Sequence, residues 1–268
     1  MVSPEALESV QQLASMWRVI VEDYGERHAT EDVSDLPGMA IRWADSKFGF
    51  WNCITFTWPN TDAEALHAHL GKAAAYMRRK REHGLIWLFE ELLTQEARAA
   101  LPDLARRAGL TMTMPLYGMA GTVMPMPEPS YSDLRFVRVT TEEALTAYAD
   151  INSCAYGFPL EAGRDGLLGS SLWMSGLYAY LGLQGDRPVA AAAVAKSGDA
   201  LFLALVATLP EGQRRGYGEA TVRKALFEAA RGTGLSRSVL HATAAGAPVY
   251  ARIGYRHVAT ISAFGLAD

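Results

Sequence analysis

Apolar residues recur along the chain in short periodic blocks separated by Gly- and Pro-bearing turns. Leu7, Val10, Leu13, Trp17, Ile20 and Val21 share one helical face behind a Ser3-Pro4 start, where serine can cap and proline suits the first turn. Strand-like segments follow at 39–43 and 50–57, the second ending in a Trp-Pro-Asn turn. The spacing of Leu66, Leu70, Ala74 and Met77 predicts a helix over 62–81. Residues 85–89 read as a buried strand, 101–108 as a broken helix closed by Gly109, and 110–116 as a strand.

Beyond residue 134 the pattern sharpens. Residues 135–139 form a strand, Thr140-Thr141-Glu142-Glu143 carries a capping-box signature, and Leu145, Tyr148, Ile151 and Ala155 line the helix that follows. A second helical patch covers 165–174. Two strands, 176–184 and 188–196, are joined by Gly-Asp-Arg-Pro, and Ser197-Gly198-Asp199 makes another tight turn. The run 200–207 is apolar throughout, as a strand buried on both faces would be. A helix over 216–231, a strand over 236–242, a short helix over 247–252 and a strand over 255–264 complete the pattern.

Between these two series lies MPMPEPSYSD, residues 124–133, whose prolines stiffen the chain and remove donors. It reads as a linker between an accessory half, 1–123, and a chemistry-bearing half, 134–268. With 50% hydrophobic and 20% charged residues, each half has material for a core, and disorder is excluded as the main description. The net charge of -4 argues against a duplex nucleic-acid binder, and the basic run 77–81 suits a solvated helix end. Two cysteines, Cys53 and Cys154, are too few for a disulfide framework; they are expected to be small buried hydrophobes in a reducing cytoplasm. Residues 1–9 lack the apolar core of a signal peptide, and no apolar run is long enough to cross a membrane. His67 and His69 fall on different helical faces, so no metal site is expected.

The chemistry concentrates in residues 201–220, LFLALVATLPEGQRRGYGEA. An apolar strand feeds a loop and the loop feeds a helix, whose first turn leaves N–H groups unpaired and adds partial positive charge. Gly216 and Gly218 let backbone come close to an anion, and Arg214 and Arg215 stand beside them. A P-loop is ruled out because no Gly-Lys-Ser/Thr ending follows. The dinucleotide fingerprint lacks its third glycine, since Gly216-Tyr217-Gly218 continues as Glu219-Ala220-Thr221. The pattern Q/R-x-x-G-x-G is matched in full by Gln213-Arg214-Arg215-Gly216-Tyr217-Gly218. This loop resembles the acetyl-coenzyme A loop of the GNAT superfamily of N-acetyltransferases. Val206-Ala207-Thr208-Leu209-Pro210-Glu211 is similar to that family's fourth strand and its exit. Leu240-His241-Ala242-Thr243 and Pro248-Val249-Tyr250-Ala251-Arg252-Ile253-Gly254-Tyr255 are similar to its fifth strand and following helix.

The resemblance implies an α+β fold in mixed αβα layers, the GNAT-like acyl-CoA N-acyltransferase fold, here in two halves with the first a degenerate copy or an accessory domain. It implies transfer of an acetyl group from acetyl-CoA to a primary amine of a small molecule or protein. Val206, Ala207 and Thr208 would pair with the pantetheine arm, and Gln213, Arg214, Arg215, Gly216, Tyr217, Gly218 and Glu219 would hold the diphosphate. Tyr250 matches the family's usual proton donor to the leaving thiolate. Some relatives carry a glutamate base on the fourth strand, and 201–207 has no carboxylate. His241 and ordered water are alternatives for that role, while Tyr156, Glu161 and Asp165 sit where the family binds its acceptor. The family's seventh strand is missing after Phe264, so 110–116 is expected to complete the second sheet. Two other functions stay open: a non-catalytic acyl-CoA sensor and a dinucleotide-binding oxidoreductase. No nucleic-acid or membrane partner is expected, and the chain is expected to be a monomer or homodimer.

Overall fold

The computed structural model describes residues 2–267. Positions 1 and 268, at the outer ends of the two expected halves, lie outside the described residues. The chain forms two compact units, and neither is a continuous half of the sequence. The first takes the chain up to Met119, together with Ala242–Ala247 and the end of the chain from His257. The second comprises Ala120–His241 and Pro248–Arg256, so the Pro-rich connector lies wholly within it.

In the first unit α1 (Pro4–His28) is capped by Ser3, whose hydroxyl accepts from the Ala6 N–H at 3.1 Å. Strands β1 (Asp32–Leu36), β2 (Met39–Trp43) and β3 (Asn52–Phe56) lead to α2 (Ala63–Met77), then β4 (Leu85–Phe89), α3 (Gln95–Arg107) and β5 (Leu110–Thr122). β1, which the pattern does not announce, is a half-exposed edge strand paired only with β2. Strand alternation sorts the side chains. Ile41, Ile54, Ile86 and Leu88 meet Leu66 and Leu70 of α2 and Leu101 of α3. Arg42 points the other way and donates to the Ala14 carbonyl of α1, and Trp87 meets Trp17 at 5.6 Å. Helix, sheet and helix layers follow from this alternation.

The second unit holds β6 (Arg135–Arg138), α4 (Glu142–Tyr156), α5 (Leu160–Leu167), β7 (Tyr178–Gln184), β8 (Arg187–Ser197), β9 (Ala200–Thr208), α6 (Tyr217–Thr233), β10 (Arg237–Thr243) and α7 (Ala247–Ile253). Its strands run in the order β10-β9-β8-β7-β6. α4 starts one residue later than a box on Thr140 requires: Thr141 is the cap and accepts from the Ala144 N–H at 3.2 Å, with no glutamate at the reciprocal position. Cys53 is buried as expected, but Cys154 is exposed, because it faces away from the buried stripe of α4.

The last strand, β11 (Arg256–Leu266), belongs with the first unit. It pairs antiparallel with β4, Ile261 opposite Phe89 and Phe264 opposite Ile86, and lies next to β5 in that sheet. The strand expected to complete the second sheet is longer than 110–116: β5 runs on to Thr122, is the neighbour of β10 in the strand order, and passes from the first unit into the second at Ala120. A fragment starting at residue 134 therefore carries β11 without its β4 partner and lacks the strand beside β10. It is expected to show no cooperative thermal transition, whereas the full chain shows one. A sharp transition from the fragment in circular dichroism would contradict this arrangement.

No helix among the described residues is long and apolar enough to cross a membrane.

Candidate active site

β9 and β10 run parallel, and their pairing is confined to Leu201–Leu203 against Ser238–Leu240. Past Leu203 the two strands part. The cause is local to β9. Opposite it, β8 advances two residues from Ala191 to Ala193 while β9 spans three, from Ala204 to Ala207. The extra residue is a bulge, and Leu205 takes it up in the left-handed region at φ 43, a costly conformation for a branched side chain. β9 is thus not buried on both faces along its length: burial is unbroken only as far as Leu203, Ala204, Leu205 and Val206 are half-buried where the pairing with β10 has ended, and Ala207 is buried again.

Two tyrosines of α4 hold the bulge. Tyr148 donates its hydroxyl to the Leu205 carbonyl and Tyr156 to the Val206 carbonyl, each at 2.8 Å. Tyr250 on α7 is close enough to both phenols for their charges to interact with its own, and its ring meets Tyr255 edge-on at 6.0 Å. Burial pushes the Tyr156 phenol up to about 12 and the Tyr148 and Tyr250 phenols well above their ordinary value. Tyr148 and Tyr156 are committed donors. The Tyr250 hydroxyl makes no hydrogen bond among the described residues, so it keeps its proton and has it to offer. In the sequence Tyr148 is one member of a helix stripe, and its position two turns before Tyr156 is the signal that marks it out.

The loop leaving β9 places Gln213, Arg214, Arg215, Gly216, Tyr217, Gly218 and Glu219 together at the start of α6. Arg214 at φ 59 and Gly216 at φ 77 are both left-handed, which turns successive amides to one side in the manner of an anion nest. The N–H groups from Arg214 to Glu219 have no acceptor at hydrogen-bonding distance among the described residues, and the helix has no side-chain cap. Gly216 is thus the residue before the helix rather than part of its first turn. At Gly218 packing also requires glycine: a Cβ there would lie 2.6 Å from Thr208 Oγ1. Tyr217 offers only its backbone, because its ring is buried against Leu134 and Val189. Gln213 reaches back to the Thr208 carbonyl at 3.3 Å, and Arg215 lies over the Tyr217 ring at 4.8 Å. Glu219 is neutralised from two sides, by Arg223 and Arg252, both at 3.0 Å.

The other candidates are less central. His241 lies one residue past the last β9 pairing, with its ring against Phe202 at 5.5 Å. Glu161 is exposed and Asp165 half-buried on α5, which meets α4 where Gly163 donates to Ser153 at 3.1 Å. No metal-binding group of three His, Cys, Asp or Glu residues exists among the described residues.

The first unit repeats the strand-loop-helix plan from β3 to α2, with a different end. There Asp62 caps the helix and accepts from the Ala65 N–H at 2.9 Å, and Glu64 stands in the first turn. Its own carboxylate fills the place where an external anion would go.

Residues 145–255 match the acetyltransferase (GNAT) family. No curated protein matches the chain in sequence. Among solved structures, a GCN5-related N-acetyltransferase from Kribbella flavida is similar at a TM-score of 0.69 and 16% identity, covering 97% of this chain and 96% of its own. One from Sphaerobacter thermophilus gives a TM-score of 0.61 at 13% identity over 85% of this chain and 76% of its own. A GNAT-family structure from Novosphingobium aromaticivorans gives 0.53 at 17% identity over 92% of this chain and 97% of its own. At these identities the likeness is one of fold, and it extends over both halves.

Proposed function

With residues 145–255 a GNAT acetyltransferase domain, we propose that the protein moves an acetyl group from acetyl-CoA directly to a primary amine of a small molecule or protein, as a cytoplasmic enzyme. The observation that carries this reading is the row of open amides from Arg214 to Glu219 standing where β9 leaves β10. Those amides suit a diphosphate. Val206, Ala207 and Thr208 lie past the last β10 pairing, so the edge of β9 that β10 leaves suits the amide-bearing pantetheine arm, with the Val206 and Thr208 carbonyls already held by Tyr156 and Gln213; a backbone N–H near Ala207 would meet the oxygen that gains charge. Acetyl-CoA supplies the activated acyl carbon and a thiol leaving group.

Tyr250 then has one job. As the acyl carbon–sulfur bond breaks and the carbon–nitrogen bond forms, one proton must pass from nitrogen to sulfur. A phenol held above its ordinary value is a weaker acid than a thiol near pKa ~8.5. Tyr250 therefore donates a hydrogen bond to the departing sulfur, and its proton is lost only as the amine's replaces it. With no carboxylate on β9, the free-base amine is the reacting form, and the rate rises with pH toward the amine pKa of ~10.

A thiol-release assay over a panel of amines tests the reading, together with calorimetry for stoichiometry. Release of coenzyme A with at least one amine is expected, at one acetyl-CoA site per chain because Asp62 closes the first unit's junction. Binding without release for every amine would favour the sensor reading. Stabilisation by NAD(P) in place of acetyl-CoA would favour the oxidoreductase.

A further inference from the structure

A cavity of about 560 Å³ opens beside the anion loop, between the connector and the first two turns of α6. Its walls include Pro127, Pro129 and Tyr131 on one side and Gly216, Ala220 and Arg223 on the other. That is within the span of small-molecule sites, about 300–1,000 Å³. The connector is fixed in place at two points. Tyr131 donates its hydroxyl to the Arg215 carbonyl inside the loop and sets its ring edge-on to Tyr217 at 5.7 Å. Glu128 pairs with Lys224 of α6 at 3.1 Å. Prolines at 125, 127 and 129 stiffen the segment between and around these ties.

The charges in the cavity are already spent. Glu128 holds Lys224, and Glu219 holds Arg223 and Arg252. The walls that remain are proline rings, a tyrosine ring and a guanidinium plane, which suit a flat, neutral heterocycle better than a phosphate. The cavity adjoins Gly216, so whatever enters it is continuous with an anion on the loop. We infer that the connector is a working wall of the acyl-CoA site: the cavity receives the adenine end of the co-substrate, and Tyr131 is a positioning residue that also holds the anion loop in its left-handed shape. The inference rests on the acyl-CoA reading given above.

Titration of the full chain with coenzyme A and with 4′-phosphopantetheine, which keeps one phosphate and lacks the nucleoside, separates the two roles. The unaltered protein is expected to prefer coenzyme A. Tyr131→Phe keeps the ring and loses the hydrogen bond, so both ligands should weaken by a similar factor of about five, leaving their ratio unchanged. Tyr131→Ala also removes the wall, so coenzyme A should lose about tenfold more than phosphopantetheine and the preference should shrink. Should that variant fail to fold, Pro129→Ala trims the same wall and carries the same expectation. An unchanged ratio in the trimmed variant, or equal affinities in the unaltered protein, overturns the cavity assignment while leaving the acyl-CoA reading intact. Failure of both ligands to bind the unaltered protein overturns that reading and this inference together.

Discussion

Tyr250→Phe is expected to lower kcat by about 10²-fold or more, the scale of a positioned acid, with the KM for acetyl-CoA nearly unchanged. The ring stays against Tyr255, 6.0 Å away, so the fold keeps its packing. The hydroxyl makes no bond among the described residues, so removing it strands no partner. On the proposed reading what is lost is a phenol whose hydroxyl is uncommitted among the described residues, whereas Tyr148 and Tyr156 spend theirs on the Leu205 and Val206 carbonyls. The pH dependence follows from the direction of the shift. Burial raises the Tyr250 phenol well above its ordinary value, so the donor form persists as pH rises through ~10. The rate profile should therefore rise with deprotonation of the amine and show no falling limb from this group below pH ~10. Steady-state kinetics of both proteins across pH checks this. An unchanged kcat in the variant contradicts the assignment.

Gly216→Asp is expected to weaken acetyl-CoA binding by about 30-fold to 10³-fold. It brings to the α6 junction the kind of group that closes the α2 junction, a carboxylate beside unpaired amides. Two like charges about 4 Å apart repel by ~1 kcal/mol in water and ~4 kcal/mol near a protein surface, and the expected loss of ~2–4 kcal/mol sits toward the upper part of that range. Gly216 sits at φ 77, where any side chain is strained, and its Cβ would come 3.1 Å from the Tyr131 hydroxyl. Gly216→Asn shares both the strain and the bulk without the charge. The difference between the two variants in a binding titration isolates the electrostatic part. Equal affinities for the two would mean that the anion is not seated at this loop.

Much of this could be read from the residues themselves. The loop was legible because its glycines and arginines have few other reasons to stand at that spacing after an apolar strand. The strand-helix order around it was legible because period-two and period-3.6 patterns are local properties. What stayed hidden depends on the third dimension. Nothing in 255–264 says that this strand leaves its own half to pair with β4, since a strand's pattern fixes its faces and not its neighbours. The bulge at Leu205 is invisible in an all-apolar run, where one extra residue changes no periodicity. The crowding at Gly218 comes from Thr208, ten residues away in sequence, and nothing in a Pro-rich connector announces that Tyr131 reaches the Arg215 carbonyl far along the chain. The exposure of Cys154 is not legible in the sequence because a cysteine is apolar enough for a core and small enough for a surface.

Backbone amide hydrogen exchange, with and without saturating coenzyme A, tests the central claim most directly. The account predicts new protection concentrated at Arg214–Glu219 and at Val206–Thr208, with no change at the capped start of α2 around Asp62. Saturable binding that leaves those two segments exchanging as freely as before would contradict it.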